Sequence, residues 1–172
     1  MREIFLHFGM IDAAWPVVSA ALARGNNIVV LPGGAAEAAY AAPGRADLVL
    51  SCHRGFIELA LEHGAALVPV YTFGDNDLGL RACHHPLLGL ADLFKAVTGI
   101  WLPRVLPARR TCAVTTVVGE MIPTPRRGPG GASEAEVTEY HTKYTQALKA
   151  LYAAHVAECG GPSAAAEIRI VA

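Results

Sequence analysis

Hydrophobic and polar positions along this chain switch repeatedly between a helical and an extended rhythm. Ile11–Arg24 is apolar and alanine-rich and ends at Gly25, which predicts a helix with a C-terminal glycine stop. Asn27–Leu31 is a short β-branched run and reads as a buried strand. Pro32-Gly33-Gly34 then forces a turn, Ala35–Tyr40 starts a helix, and Pro43-Gly44 breaks again before a short strand at Asp47–Ser51. Arg54–His63 is a helix closed by Gly64, and Ala66–Thr72 is a strand whose Pro69 points to an irregular or edge position.

Gly74-Asp75-Asn76-Asp77 forms a turn cluster. The stretch from 78 to 107 is the least legible, with a helix expected at Leu88–Val97. Cys112–Val118 is a strand, followed by a Pro/Gly/Arg loop over Pro123–Gly131. Ser133-Glu134-Ala135-Glu136 spells a capping box opening a long helix. Val137, Tyr140, Tyr144, Leu148, Leu151 and His155 recur every three or four residues and predict its buried face. Glu139 and Lys143 supply a supporting i,i+4 pair, Gly160-Gly161-Pro162 stops the helix, and Glu167–Val171 is a last strand. Alternating strands and helices argue for an α/β fold, a mostly parallel sheet covered by helices.

Length and composition narrow this further. The 172 residues fit one domain, and 53% hydrophobic against 17% charged residues excludes disorder for most of the chain. A net charge of −1 argues against nucleic acid as a partner. No uncharged stretch reaches the roughly 18–20 apolar residues of a membrane span, and no secretory signal is legible at Met1. Cys52, Cys83, Cys112 and Cys159 are widely spaced without a CxxC pair, which suits free thiols. Cys52-His53 and Cys83-His84-His85 lack the spacing of a zinc site, so no metal is expected.

Candidate chemistry collects in four places. Leu31-Pro32-Gly33-Gly34 leads a strand into a glycine pair, where a ligand can approach the backbone and following helix amides favour an anion; an ordinary tight turn reads the same way. Glu37 stands among alanines, either as a carboxylate for proton transfer or as a helix N-terminal anion. Arg54 opens the 54–63 helix, as a fork for phosphate or carboxylate or as a solvated first-turn residue. Asp75, Asn76 and Asp77 follow a strand, where α/β sites form, and equally describe a plain turn. Arg104, Arg109, Arg110, Arg126 and Arg127 against Glu120 give a local net charge of +4, suited to an anionic lipid surface or a polyphosphate, or to solvent.

Read in order, VLPGGAAEA (30–38), RGFIELALEHGAALVPVYTFGDND (54–77), TTVVGEMIPTP (115–125) and the helix EVTEYHTKYTQALKALYAAH (136–155) resemble the type 2 diacylglycerol acyltransferase family. That resemblance implies a glycerolipid-acyltransferase-like α/β fold. It also implies transfer of a fatty acyl group from acyl-CoA to diacylglycerol or a related alcohol. No cofactor is implied, because acyl-CoA is a substrate. Implied partners are acyl-CoA, a neutral glycerolipid and a membrane or lipid-droplet surface, with a homo-oligomer allowed and the endoplasmic reticulum membrane as the location. Carried onto this chain, Gly33, Gly34, Arg54, Asp75, Asn76 and Asp77 become substrate-binding candidates and Glu37 a catalytic one.

The sequence also departs from the family. Its hallmark His-Pro-His-Gly block occurs nowhere in the chain; His84-His85-Pro86 has the wrong order. An N-terminal hydrophobic hairpin is missing, and Ala108-Arg109-Arg110-Thr111 stands where an aromatic-arginine-proline run is expected. The expectation is that residues 1–172 form the C-terminal part of a single acyltransferase domain. The general-base histidine would then lie upstream of Met1, and the isolated chain would be inactive. A non-catalytic homologue that binds a lipid surface or a partner is the alternative. A nucleotide-binding α/β domain using the Gly33-Gly34 turn competes with both, but lacks a complete phosphate fingerprint.

Overall fold

The computed structural model describes residues 9–34, 37, 40, 44–77, 79–81, 105–107, 113–160 and 164–171. Helix α1, Trp15–Ala23, begins four residues later than the apolar run suggests. Pro16 sets that start: its fixed φ and missing N–H fit only the first helical turn. Gly25, at φ +79°, closes the helix by donating its N–H to Leu22 O at 2.9 Å.

The expected strand at Asn27–Leu31 does not form. Val29 and Leu31 are 93% and 82% exposed, and no described strand pairs with this run. β-Branched residues favour extended backbone, but a strand also needs a ladder partner and a face to bury.

Strand β1, Asp47–Val49, pairs in parallel with β6, Arg169–Val171, in the register Asp47↔Arg169 and Val49↔Val171. Helix α2, Gly55–His63, turns Ile57, Leu59, Ala60 and Leu61 inward and ends at Gly64, whose φ of +69° supplies the left-handed cap. Strand β2, Val70–Phe73, pairs antiparallel with β5, Thr115–Val118. The ladder starts later than expected because Pro69, fully buried, has no N–H to donate. Ahead of it, Leu67 survives as an isolated bridge to Ile122.

Strands β3, Gly79–Arg81, and β4, Val105–Pro107, form a further antiparallel pair within the least legible stretch. The expected helix at Leu88–Val97 lies outside the described residues, as do Cys83 and Cys112. One described pair is parallel and two are antiparallel, so the described β structure is mixed rather than mostly parallel. The fold is α/β in the sense of mixed helices and small sheets.

Helix α3, Glu134–Cys159, has the expected capping box: Ser133 Oγ accepts the Glu136 N–H at 3.2 Å, and Glu136 returns a carboxylate to the Ser133 N–H at 3.1 Å. Those contacts and Arg127 hold the partly exposed Glu136 carboxyl below its ordinary range. Lys143 and Glu139 pair at 2.6 Å.

Two apolar clusters lie under this helix. Val137 joins Ile57, Ala60, Leu61 and Leu67. Leu148 and Tyr152 join Ala46, Leu50, Phe73 and Ile168. Phe56 and Tyr144, with ring centroids 5.2 Å apart, pack against both clusters. No described helix is long and apolar enough to cross a membrane.

Candidate functional site

The glycine turn and the end of β1 meet around one carboxylate. Gly34, at φ +48°, donates its N–H to Leu31 O at 3.1 Å, and the Glu37 N–H reaches Gly33 O at 3.2 Å. Gly34, Glu37 and Tyr40 are helical, so Glu37 sits on the first turn after the glycine pair. A Cβ on Gly33 would collide with the Glu37 carboxylate. The space that glycine leaves at 33 is therefore filled by the chain's own acid.

Glu37 is half-buried and accepts a hydrogen bond from the Val49 backbone N–H. Burial pushes its carboxyl above the ordinary range; Asp75 adds to that push, while the Val49 bond and His53 act against it. The neighbouring phenols respond in kind. Tyr71 is raised far above the usual phenol range by burial, by Tyr152 and by the charges of Asp75 and Glu37. Tyr144 is raised by burial and by Glu37. The result is a carboxylate poised to take a proton, beside phenols that stay protonated and can donate hydrogen bonds.

This arrangement predicts a pH-dependent effect of Glu37→Gln. A raised folded-state carboxyl pKa penalises the native state once the unfolded chain's glutamate ionises. The penalty is absent below about pH 4.5, grows through the interval up to the folded value, and is full above it. Glutamine keeps an oxygen for the Val49 N–H and carries no charge. The variant should therefore melt higher than wild type near pH 7, by roughly 2–4 °C for each kcal/mol relieved, and equal it at acid pH. Thermal melts at pH 4 and pH 7 check this; an equal shift at both would refute it.

Asp75 and Asn76 stand in a 3₁₀ turn, Asp75–Asp77, directly after β2. Asn76 donates its backbone N–H to Asp75 Oδ1 at 2.9 Å and its side-chain Nδ2 to Arg45 O at 3.0 Å, tying the turn to the residue before Ala46. An open pocket is lined here by Arg45, Tyr71, Phe73, Asp75, Asn76 and Tyr152, the rest of its wall being glycine and alanine. Asp75 belongs both to this pocket and to the environment of Glu37, so turn and carboxylate form one region. Arg54 is directed elsewhere. It occupies the N-cap position of α2 without a side-chain cap, and its Nη1 lies 3.4 Å from Glu134 Oε1 and 3.3 Å from Thr138 Oγ1 on α3.

Of the five-arginine cluster, Arg104, Arg109 and Arg110 fall outside the described residues. Arg127 donates Nε to Glu136 at 2.9 Å, and Arg126 packs its backbone and Cβ against Gly64. Cys52 Sγ lies 3.3 Å from His53 Nδ1. Among the described residues no three histidine, cysteine, aspartate or glutamate side chains gather as metal ligands would.

The family model for diacylglycerol acyltransferase matches residues 1–168. The chain belongs to the diacylglycerol acyltransferase family. It is 36% identical to human 2-acylglycerol O-acyltransferase 3 over 94% of this chain and 52% of that protein. Human diacylglycerol O-acyltransferase 2 is 30% identical over 94% of this chain and 46% of its own length. Mouse acyl-CoA wax alcohol acyltransferase 2 is 37% identical over 79% of this chain and 44% of its own. The chain thus spans about half the length of the curated relatives it matches. No solved structure matches it.

In this diacylglycerol acyltransferase family member, sequence reasoning missed Arg45, Tyr71, Tyr144 and Tyr152 as parts of the region. Tyr71 shares a face of β2 with Phe73, and Tyr152 follows Leu151 of the expected α3 face. Periodicity marks such residues as core; that they surround a carboxylate depends on where the 33–37 turn lands. Arg45, beside the Pro43-Gly44 break, carries no periodic signal at all.

Proposed function

We propose that this chain serves O-acyl transfer from acyl-CoA to diacylglycerol or a related alcohol, the reaction of triacylglycerol synthesis, at an endoplasmic reticulum membrane or lipid-droplet surface. The observation that carries this reading is the family match over residues 1–168; the Glu37 region supplies a place for it. A glycerolipid-acyltransferase-like fold belongs to the same proposal, with residues 1–172 as the C-terminal part of one acyltransferase domain.

In this reading Gly33, Gly34 and Glu37 line the cleft at the 33–37 turn, and Asp75, Asn76 and Asp77 shape its mouth. Arg54 contacts a donor phosphate or the acceptor, exchanging the 86%-exposed Glu134 carboxylate for the ligand. The acceptor hydroxyl gives up its proton to a base and attacks the thioester carbonyl. The C–S bond then breaks, and the CoA sulfur leaves and takes a proton. Glu37 is a base candidate, but the histidine of the family's His-Pro-His-Gly block, implied as the general base, has no counterpart in these 172 residues.

Two measurements in acyltransferase-deficient microsomes expressing the chain test this. A photoreactive acyl-CoA should label the chain and be displaced by excess acyl-CoA; no displaceable labelling would refute the donor reading. Triacylglycerol formation from labelled acyl-CoA and diacylglycerol should stay at the empty-vector level, and robust synthesis would overturn the assigned need for the histidine block.

A further inference from the structure

We propose that Arg45 and Arg169 form a phosphate-binding pair, held open by the buried carboxylate of Asp47, for a phosphate monoester such as the one on the nucleotide end of CoA. The choice of CoA rests on the acyl-CoA reading above, whereas the pair itself rests on geometry.

Asp47 heads β1 and Arg169 heads β6, and the parallel register sets them opposite one another. Arg45 lies two residues before Asp47 and so falls on the same side of the extended chain. Asp47 Oδ2 is 3.7 Å from Arg45 Nη1, and Asp47 Oδ1 is 3.7 Å from Arg169 Nε. These are ion-pair separations too long for hydrogen bonds. Asp47 Oδ1, in a side chain only 4% exposed, has no hydrogen-bond partner among the described residues.

The carboxylate therefore gathers two cations without consuming their donors. Each guanidinium carries five N–H groups, and the two side chains are 56% and 72% exposed. Two positive charges against one negative leave a net attraction for an anion. Two planar forks suit the several oxygens of a phosphate better than one carboxylate can satisfy them.

Arg45 also lines the open pocket that reaches Tyr71, so a phosphate at the pair places the rest of its molecule toward that half-buried ring, behind which Phe73 and Tyr152 belong to the core. Asp75 lies on the same wall and accepts the Asn76 N–H at 2.9 Å. Its charge repels a phosphate and suits a hydroxyl, which confines the anion to the Arg45–Arg169 end.

A phosphate monoester can reach such a pair on CoA or on a phosphatidate headgroup, and two probes separate the sources. Titration of the full 172-residue chain at low salt should show CoA binding at least about tenfold tighter than dephospho-CoA, the scale of a charged hydrogen-bonding contact. That ratio should fall toward one in Arg45→Ala/Arg169→Ala, survive in part in the double lysine variant, and shrink as salt rises. Arg169→Gln alone, at the most exposed of the three side chains, should lower the ratio by more than any accompanying fall in melting temperature accounts for, with the double lysine variant as the control that keeps both charges beside Asp47.

Flotation with phosphatidylcholine vesicles, with and without phosphatidic acid, tests the other source. Arginine-dependent binding to the phosphatidate vesicles alone would support the pair and transfer its ligand to lipid. Binding of both probes unchanged in a variant that melts like wild type would overturn the pair, even if acyl-CoA labelling persists. Loss of that labelling with arginine-dependent phosphate binding intact would instead overturn the donor reading alone.

Discussion

Replacing Leu61 with alanine should cost about 2–5 kcal/mol. Leu61 is 0% exposed and packs in the cluster formed by Ile57, Ala60, Leu67 and Val137, where α2, the Leu67 bridge and α3 meet. Its backbone matters as well, because the Arg127 N–H donates to Leu61 O at 2.8 Å and fixes the loop that precedes α3. Truncation leaves that hydrogen bond intact and removes apolar contacts on every side. The loss is therefore a transfer term plus a cavity that neighbours on three segments can only partly fill. For a chain of this length it corresponds to a fall in melting temperature of roughly 4–20 °C. Denaturant or thermal unfolding of Leu61→Ala measures it. A loss below about 1 kcal/mol would mean that this cluster is not a packed core.

Gly74→Ala carries the second large effect, and it acts on the site. Gly74 has φ +86°, so any side chain there is strained, by on the order of 1 kcal/mol. A Cβ would also run into the Ala113 carbonyl oxygen on the approach to β5. Backbone cannot move aside as a flexible side chain can, so either β5 shifts or the turn at Asp75–Asp77 does. The expected loss is about 2–4 kcal/mol, beyond the strain alone because overpacking adds to it. Gly34→Ala is the control: φ is +48°, but the added Cβ meets nothing within 4 Å among the described residues, so only the strain should appear. If unfolding measurements give equal losses at the two positions, the close approach of Ala113 to Gly74 is wrong.

Local chemistry made much of the fold legible. Ser133 and Glu136 declare the start of α3 because a capping box is satisfied within four residues. Gly64 declares the end of α2 because only a left-handed residue closes it in this way. Elsewhere the decision belonged to partners far away in the chain. Val29 and Leu31 have the composition of a buried strand yet find no described ladder. Pro69 shortens β2 by an N–H it does not have, an effect visible in sequence only as irregularity.

The site divides along the same line. Glu37, Asp75 and Asn76 were legible as polar residues at turns. What surrounds them comes from three separate segments: Tyr71 on β2, Tyr144 and Tyr152 on α3, and Val49 on β1. Arg54 was legible as an exposed cation, but its orientation toward Glu134 and Thr138 is set by where α3 packs.

The β1–β6 pairing also bears on the order in which the molecule is made. Its two strands meet across about 120 residues of sequence, and they are only three residues long each. Closing so large a loop for so short a ladder is entropically unfavourable until the intervening helices have packed. During synthesis, β1 emerges well before Arg169 exists, so the strand whose Val49 N–H holds Glu37 has no parallel neighbour until those intervening residues have been made. Sequence separation therefore predicts that the carboxylate region closes late, after α2 and α3 have packed their shared apolar cluster.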